Sequence, residues 1–113
     1  MHELAITQGI IAAAVPEAER HGAKRILEIR LRIGEYSGVF PEYIQEYFDI
    51  ASRGTLCEGA KLVINRIPIV IHCNDCGYEG EIPRRKIKCP ECGSAAIKLL
   101  SGREYYVDSL EVE

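Results

Sequence analysis

The sequence lacks the features that would place the protein in a membrane or direct it to secretion. None of its apolar runs approaches the roughly 18 residues that a membrane-spanning helix needs. Its opening residues, Met1-His2-Glu3-Leu4, are not a basic segment followed by a continuous apolar stretch, so no secretory signal is evident. We therefore expect a cytoplasmic protein.

The sequence also has little of what nucleic-acid binding requires. Acidic residues outnumber basic ones by 17 to 14, giving a net charge of −3, and tryptophan is absent. Because neutralising phosphates takes a surplus of Lys and Arg, this balance disfavours a nucleic-acid partner. One basic run, Arg84-Arg85-Lys86-Ile87-Lys88, stands against that trend. We interpret it as a solvated face.

What the sequence does have is cysteine in pairs. Of its five cysteines, four form two Cys-x-x-Cys pairs, Cys73 with Cys76 and Cys89 with Cys92. Two intervening residues let both sulfurs of a pair reach one ion about 2.3 Å away, and the glycine after each pair favours the backbone that closes such a turn. A module of about 30 residues also needs a staple to fold. The pattern predicts a structural tetrathiolate zinc site. A zinc-ribbon module that binds nucleic acid or protein remains the alternative function.

Three other interpretations explain the cysteine pairs less well. A redox Cys-x-x-Cys needs one pair only and leaves the other unexplained. A [4Fe–4S] cluster also takes four thiolates, but the spacing favours tetrahedral zinc. Two disulfides would require an oxidising compartment. The fifth cysteine, Cys57, stands alone and is expected to be a small packing residue rather than a ligand.

Outside the cysteine region, the hydrophobic pattern predicts an α+β domain of two helices and one small sheet. Residues 4–21 have helical spacing, and Pro16 within them predicts a bent helix or two short ones. A second helix starts at Pro41. Alternating segments predict strands at residues 23–33, 60–67 and 104–112. We expect residues 1–69 and 103–113 to form this domain, interrupted by a zinc-ribbon module at residues 70–102.

The first three residues can form a second kind of metal site. The α-amine of Met1, the backbone nitrogen of His2 and its imidazole can chelate one ion, and Glu3 can complete the set through its backbone nitrogen or carboxylate. Nitrogen-rich tetragonal coordination suits Ni(II) or Cu(II) rather than Mg²⁺ or Ca²⁺. Taken alone, however, a histidine at position 2 is more often a polar residue on a fraying end.

Together these features resemble the HypA family, the small nickel metallochaperones that serve maturation of [NiFe]-hydrogenase and, in some organisms, urease. The resemblance extends over essentially the full length of the chain. The segments that carry it are Met1-His2-Glu3, 27–34, Pro41-Glu42, Gly54-Thr55, 58–62, both cysteine pairs with their glycines Gly77 and Gly93, and 101–104.

The resemblance implies two helices on a three-stranded mixed sheet, interrupted by a zinc ribbon. It also implies nickel at His2 with support from Glu3, and two partners, a nickel-delivery GTPase and the hydrogenase large-subunit precursor. Such a carrier is expected to have no catalysis of its own, and the sequence shows no nucleophile–base pair or open catalytic zinc position. His21 and His72 are candidates for further ligands, although each is more readily explained as structural or solvated.

Overall fold

A computed structural model describes residues 2–113, with side chains described from Glu3 onward. It contains two helices and six strands, which form two three-stranded sheets in the orders β2-β1-β6 and β4-β3-β5. The elements are α1 (His2–Arg20), β1 (Ile26–Gly34), α2 (Pro41–Ala51), β2 (Lys61–Ile67), β3 (Ile69–Cys73), β4 (Glu79–Ile82), β5 (Ile97–Ser101) and β6 (Tyr105–Val112). Within the described part of the chain, no helix is long and apolar enough to cross a membrane.

The first sheet is mixed, with β1 at its centre. The N–H of Glu35 donates to the carbonyl of Ile67 at 2.9 Å, so β1 and β2 end side by side and run parallel. The N–H of Gly34, at the end of β1, donates to the carbonyl of Glu104, just before β6, at 2.7 Å, so β1 and β6 run antiparallel. Helix α2 forms the crossover that parallel neighbours require. The α+β class and the mixed three-stranded sheet are confirmed.

Helix α1 is a single helix from His2 to Arg20, which excludes two short helices around Pro16. The helix ends at Arg20, and Gly22 just after it has a φ of 70°, a conformation that glycine adopts at little cost. Two hydrogen bonds close this end, from the N–H of Gly22 to the carbonyl of Glu19 at 3.0 Å and from the N–H of Ala23 to the carbonyl of Ala18 at 3.1 Å. This pair of bonds is the Schellman motif, in which a left-handed residue stops a helix.

Helix α2 begins at Pro41, where a fixed φ and a missing N–H suit the first helical position. Its buried face carries Ile44 and Phe48, which are four residues apart. Gln45 holds the helix against strand β2, because its side-chain oxygen accepts the N–H of Leu62 at 2.9 Å. Its side-chain nitrogen donates to the carbonyl of Ala60 at 3.4 Å. The side chain of Gln45 thus satisfies backbone groups at the start of β2.

The chain divides into two compact units, Met1–Arg32 with Val39–Asn65 and Tyr106–Glu113, and Ile33–Gly38 with Arg66–Tyr105. The core of the first unit is formed by side chains of α1, β1 and α2 that exclude water almost completely. These include Ile10, Ala14, Ala18, Ile29, Leu31, Ile44 and Phe48. Burial of such a core is the main favourable contribution to folding.

The second unit contains the sheet β4-β3-β5, and its own small core. Strand β3 lies in the middle and pairs antiparallel with both neighbours. Its buried residues Ile69 and Ile71 pack with Ile82 from β4, while Tyr78, Ile97 and Leu99 pack against this cluster. Because side chains alternate along a strand, the next residue on the buried face of β3 is Cys73.

A close backbone approach in the second unit makes Gly34 a sensitive position. A Cβ at Gly34 would lie 2.1 Å from the carbonyl oxygen of Gly102. We expect Gly34→Ala to destabilise the protein by about 1–3 kcal/mol, the usual effect of overpacking. Gly9→Ala is the matched control, because a Cβ there meets nothing within 4 Å and Ala suits a helix better. Urea unfolding measures both, and an unchanged midpoint for Gly34→Ala would contradict the prediction.

Candidate metal site

Four cysteine thiols converge at one end of the second sheet. The Sγ atoms of Cys73, Cys76, Cys89 and Cys92 all lie within 4.8 Å of one another. The Sγ–Sγ distance is 3.6 Å between Cys73 and Cys92 and 3.5 Å between Cys76 and Cys89. A tetrahedron of sulfurs about 2.3 Å from a central zinc ion has edges of about 3.8 Å. The four thiols therefore have the donor type and the spacing of a closed tetrahedral zinc site.

Each pair forms the same backbone turn, which we call a knuckle. In the first knuckle, the N–H of Gly77 donates to the carbonyl of Cys73 at 3.0 Å, and the N–H of Cys73 donates to the carbonyl of Tyr78 at 2.8 Å. The second knuckle repeats both bonds, from Gly93 to Cys89 at 2.9 Å and from Cys89 to Ser94 at 3.0 Å. Gly77 and Gly93 have φ of 80° and 75°, so the two glycines supply the left-handed backbone that the turns need.

The knuckle amides stabilise thiolate, but four adjacent thiolates repel one another. The backbone N–H of Cys76 donates to Cys73 and lowers the pKa of that thiol to about 7. At Cys76 the amide of Tyr78 also favours the thiolate, yet the neighbouring Cys89 thiol and desolvation outweigh it and raise the pKa to about 12. Like charges held this close cannot all ionise without a counter-charge. A divalent cation at the centre would supply it.

Cys57 lies in the first unit and outside this cluster of thiols. It is fully buried, and its backbone N–H donates to the hydroxyl oxygen of Thr55 at 3.0 Å. Burial also raises the pKa of its thiol, which keeps it protonated. These properties are those of an inert packing residue.

The predicted nickel ligands are only partly within the described residues. Met1 and the side chain of His2 lie outside them, while Glu3 occupies the first turn of α1. His21 pairs with the carboxylate of Glu17 at 3.2 Å. His72 pairs with the carboxylate of Glu79 at 3.0 Å. Among residues with described side chains, neither histidine nor Glu3 joins a group of three metal-ligating side chains.

Sequence reasoning missed two polar residues that join the knuckles, Asp75 and Ser94. The hydroxyl of Ser94 donates to the carboxylate of Asp75, across 19 positions of the sequence. The only available signal was the position of two short polar side chains, one inside the first cysteine pair and one just after the second. Nothing in the sequence alone indicated that these two side chains would meet.

This combination of an α+β unit with a four-thiol unit defines a small metal-binding protein, and comparison with known proteins gives its family. The profile of the family "Hydrogenase/urease nickel incorporation, metallochaperone, hypA" matches residues 1–112. Hydrogenase maturation factor HypA of Geobacter metallireducens is 41% identical over 113 residues, and that of Caldanaerobacter subterraneus is 38% identical over 114 residues. Both alignments cover the whole of both chains. This chain therefore belongs to the HypA family of nickel-incorporation metallochaperones.

Solved structures support the fold. The solution structure of the Ni metallochaperone HypA from Helicobacter pylori superimposes on this chain with a TM-score of 0.67 at 24% sequence identity. The superposition covers 97% of this chain and 96% of that one. A second solution structure, titled HypA protein, has a TM-score of 0.71 at 24% identity, covering 100% and 97%. The resemblance inferred from the sequence motifs is thus confirmed at the levels of family and fold.

We expect the purified chain to contain one zinc ion, and Cys89→Ala to release it and unfold residues 73–92. The reason is that zinc contributes about 10–16 kcal/mol in small modules, more than the short core of the second unit can replace. Cys57→Ala is the control and should leave the zinc content unchanged. Elemental analysis with NMR of the two variants measures both effects. Full zinc occupancy in Cys89→Ala would contradict the assignment of ligands.

Proposed function

We propose that this chain binds Ni(II) at its N-terminus and delivers it for the maturation of [NiFe]-hydrogenase, with urease as a second client where that enzyme is present. The observation that carries the proposal is membership of a nickel-incorporation family whose profile matches residues 1–112, and so includes Met1-His2-Glu3. We further propose that the chain acts as a carrier without catalysis of its own, in the cytoplasm.

The nickel ligands that we propose are the α-amine of Met1, the backbone nitrogen and imidazole of His2, and Glu3. His2 is the first residue of α1, and Glu3 lies in its first turn. The first four N–H groups of an α-helix have no intrahelical carbonyl to bond, so the backbone nitrogens of His2 and Glu3 are not committed to the helix. Nitrogen donors in a tetragonal set favour Ni(II) over the hard cations Mg²⁺ and Ca²⁺.

The zinc site has a different role in this proposal. We assign Cys73, Cys76, Cys89 and Cys92 as ligands of one structural zinc ion, because a site with four protein ligands leaves no open position for a client. The free cysteines of the chain are compatible with a reducing compartment. We propose residues 1–69 with 103–113 as the nickel-binding domain and residues 70–102 as the zinc-ribbon domain. In the structure, residues 33–38, 66–69 and 103–105 belong to the same compact unit as the four cysteines.

Delivery requires partners, and we propose two of them. One is the nickel-delivery GTPase of hydrogenase maturation, and the other is the precursor of the hydrogenase large subunit. Support comes from the relatives named hydrogenase maturation factors, since maturation acts on another protein. The negative net charge and the absence of tryptophan disfavour nucleic acid as a partner.

We expect two extra residues before Met1 to weaken nickel binding by at least about tenfold, the scale on which even outer contacts of metal ligands act. The extension converts the α-amine of Met1 into an amide and moves the new amine out of chelating position. His2→Ala should abolish binding, and acidification should release nickel because protons compete for the same nitrogens. Calorimetric titration with Ni(II) measures these effects on the zinc-loaded protein.

The controls for this titration are His21→Ala and His72→Ala, which remove imidazoles paired with carboxylates elsewhere in the chain. Both should bind nickel like the unmodified protein. Equal nickel affinity with and without the extension would exclude the amine as a ligand. Unchanged affinity in His2→Ala would overturn the N-terminal site itself.

A further inference from the structure

Two side chains that are not zinc ligands connect the knuckles. Asp75 lies inside the first knuckle, between Cys73 and Cys76, and Ser94 follows the second one. The Ser94 hydroxyl donates to the Asp75 carboxylate, and the same hydroxyl oxygen accepts the N–H of Ala96 at 3.0 Å. The bond from Ala96 therefore orients the serine hydroxyl, which donates its own hydrogen to Asp75. We call this Asp75–Ser94 hydrogen bond the clasp.

Each partner of the clasp also lies close to a predicted ligand. Asp75 is the second residue after Cys73, and Ser94 is the second residue after Cys92. The Sγ atoms of these two cysteines lie 3.6 Å apart. Ser94 also accepts the N–H of Cys89 through its carbonyl at 3.0 Å. The clasp therefore couples the two halves of the site through residues next to predicted ligands on both sides.

The clasp opposes release of the metal ion, whereas a hydrogen bond elsewhere in the second unit does not. A tetrahedral ion held by two knuckles cannot leave until at least one knuckle moves away from the other. Backbone pairing near the knuckles includes the N–H of Asn74, which donates to the carbonyl of Ala96 at 2.9 Å, and the adjacent β3–β5 pair of Cys73 with Ile97. The clasp adds a charge-assisted side-chain bond between the two knuckles, and hydrogen bonds to charged groups are the stronger ones.

We infer that Asp75 and Ser94 are positioning residues that hold the two knuckles together and slow the release of zinc. The inference rests on the proposed zinc site and is independent of the nickel site. An opposing effect has to be considered, because the Asp75 carboxylate adds negative charge beside a zinc tetrathiolate that already carries a net charge of about −2. If repulsion dominated, removal of the carboxylate would slow zinc release. If the clasp dominates, removal speeds it.

The test measures the rate of zinc transfer from the full-length, zinc-loaded chain to excess EDTA. Ser94→Ala and Asp75→Ala should each release zinc about fivefold faster, the factor expected for one lost hydrogen bond of ordinary net strength. The double variant should be no faster than either single variant, because both changes remove the same bond. Asp75→Asn keeps an acceptor oxygen without the charge, and should stay within about twofold of the unmodified protein.

Ser101→Ala is the matched control, because it removes a serine hydroxyl bonded to the carbonyl of Pro68 in the same unit. It should leave the release rate unchanged. Cobalt substitution supplies a second readout, since an unaltered thiolate-to-cobalt absorption in each variant shows that the four ligands are still in place. Asp75→Ala releasing zinc at the original rate or more slowly would overturn the clasp, as would additive effects in the double variant. A chain that purifies without zinc would instead refute the zinc site.

Discussion

Four sulfurs held within 4.8 Å impose the constraint on which the second unit is built. Bare thiolates at that spacing repel one another. An amide N–H stabilises the Cys76 thiolate, but the neighbouring Cys89 thiol and desolvation raise the pKa of Cys76 to about 12. A divalent cation turns this repulsion into attraction, and the binding energy becomes folding energy. The small core of Ile69, Ile71 and Ile82 positions strand β3. A metal ion bound by the four sulfurs holds together the two knuckles beyond this strand.

The backbone path through the second unit places Cys73 at the start of the first knuckle. Strand β3 is paired on both sides, so its end is fixed where the first knuckle begins. Strand β5 returns the chain from the second knuckle, and Gly102 then passes so close to Gly34 that no Cβ fits between them. Tyr36 donates its N–H to the carbonyl of Gly102 at 2.7 Å, which holds this crossing in place. In the sequence, the metal site lies between strands β2 and β6 of the first sheet. This insertion is compatible with folding because the chain segments that lead into the site and out of it are both fixed by backbone hydrogen bonds.

The sequence was informative where local chemistry determines structure. Spacing and glycine identified the four clustered cysteines, Pro41 marked the start of α2, and alternation located the three strands of the first sheet within three residues of their observed starts. It failed where distant residues decide the outcome. Propensity could not show that α1 runs unbroken past Pro16, nor that Gln45 would bond to β2, nor that Asp75 and Ser94 would meet. Each of these depends on a partner whose position is set by tertiary packing.

Two metals with different fates require two kinds of coordination, and the two sites that we propose for this chain differ in this way. A structural ion is best held by a closed set of thiolates whose second contacts are backbone amides, since each ligand must then be displaced against a preformed turn. A transported ion needs donors that can be exchanged one at a time. The start of α1 offers such donors in the proposed site, because amides in the first helical turn lack carbonyl partners and nitrogen ligands can be reprotonated. In the proposed assignment, thiolates held at the end of β3 and in hydrogen-bonded turns retain zinc, while exchangeable nitrogens at the start of α1 release nickel.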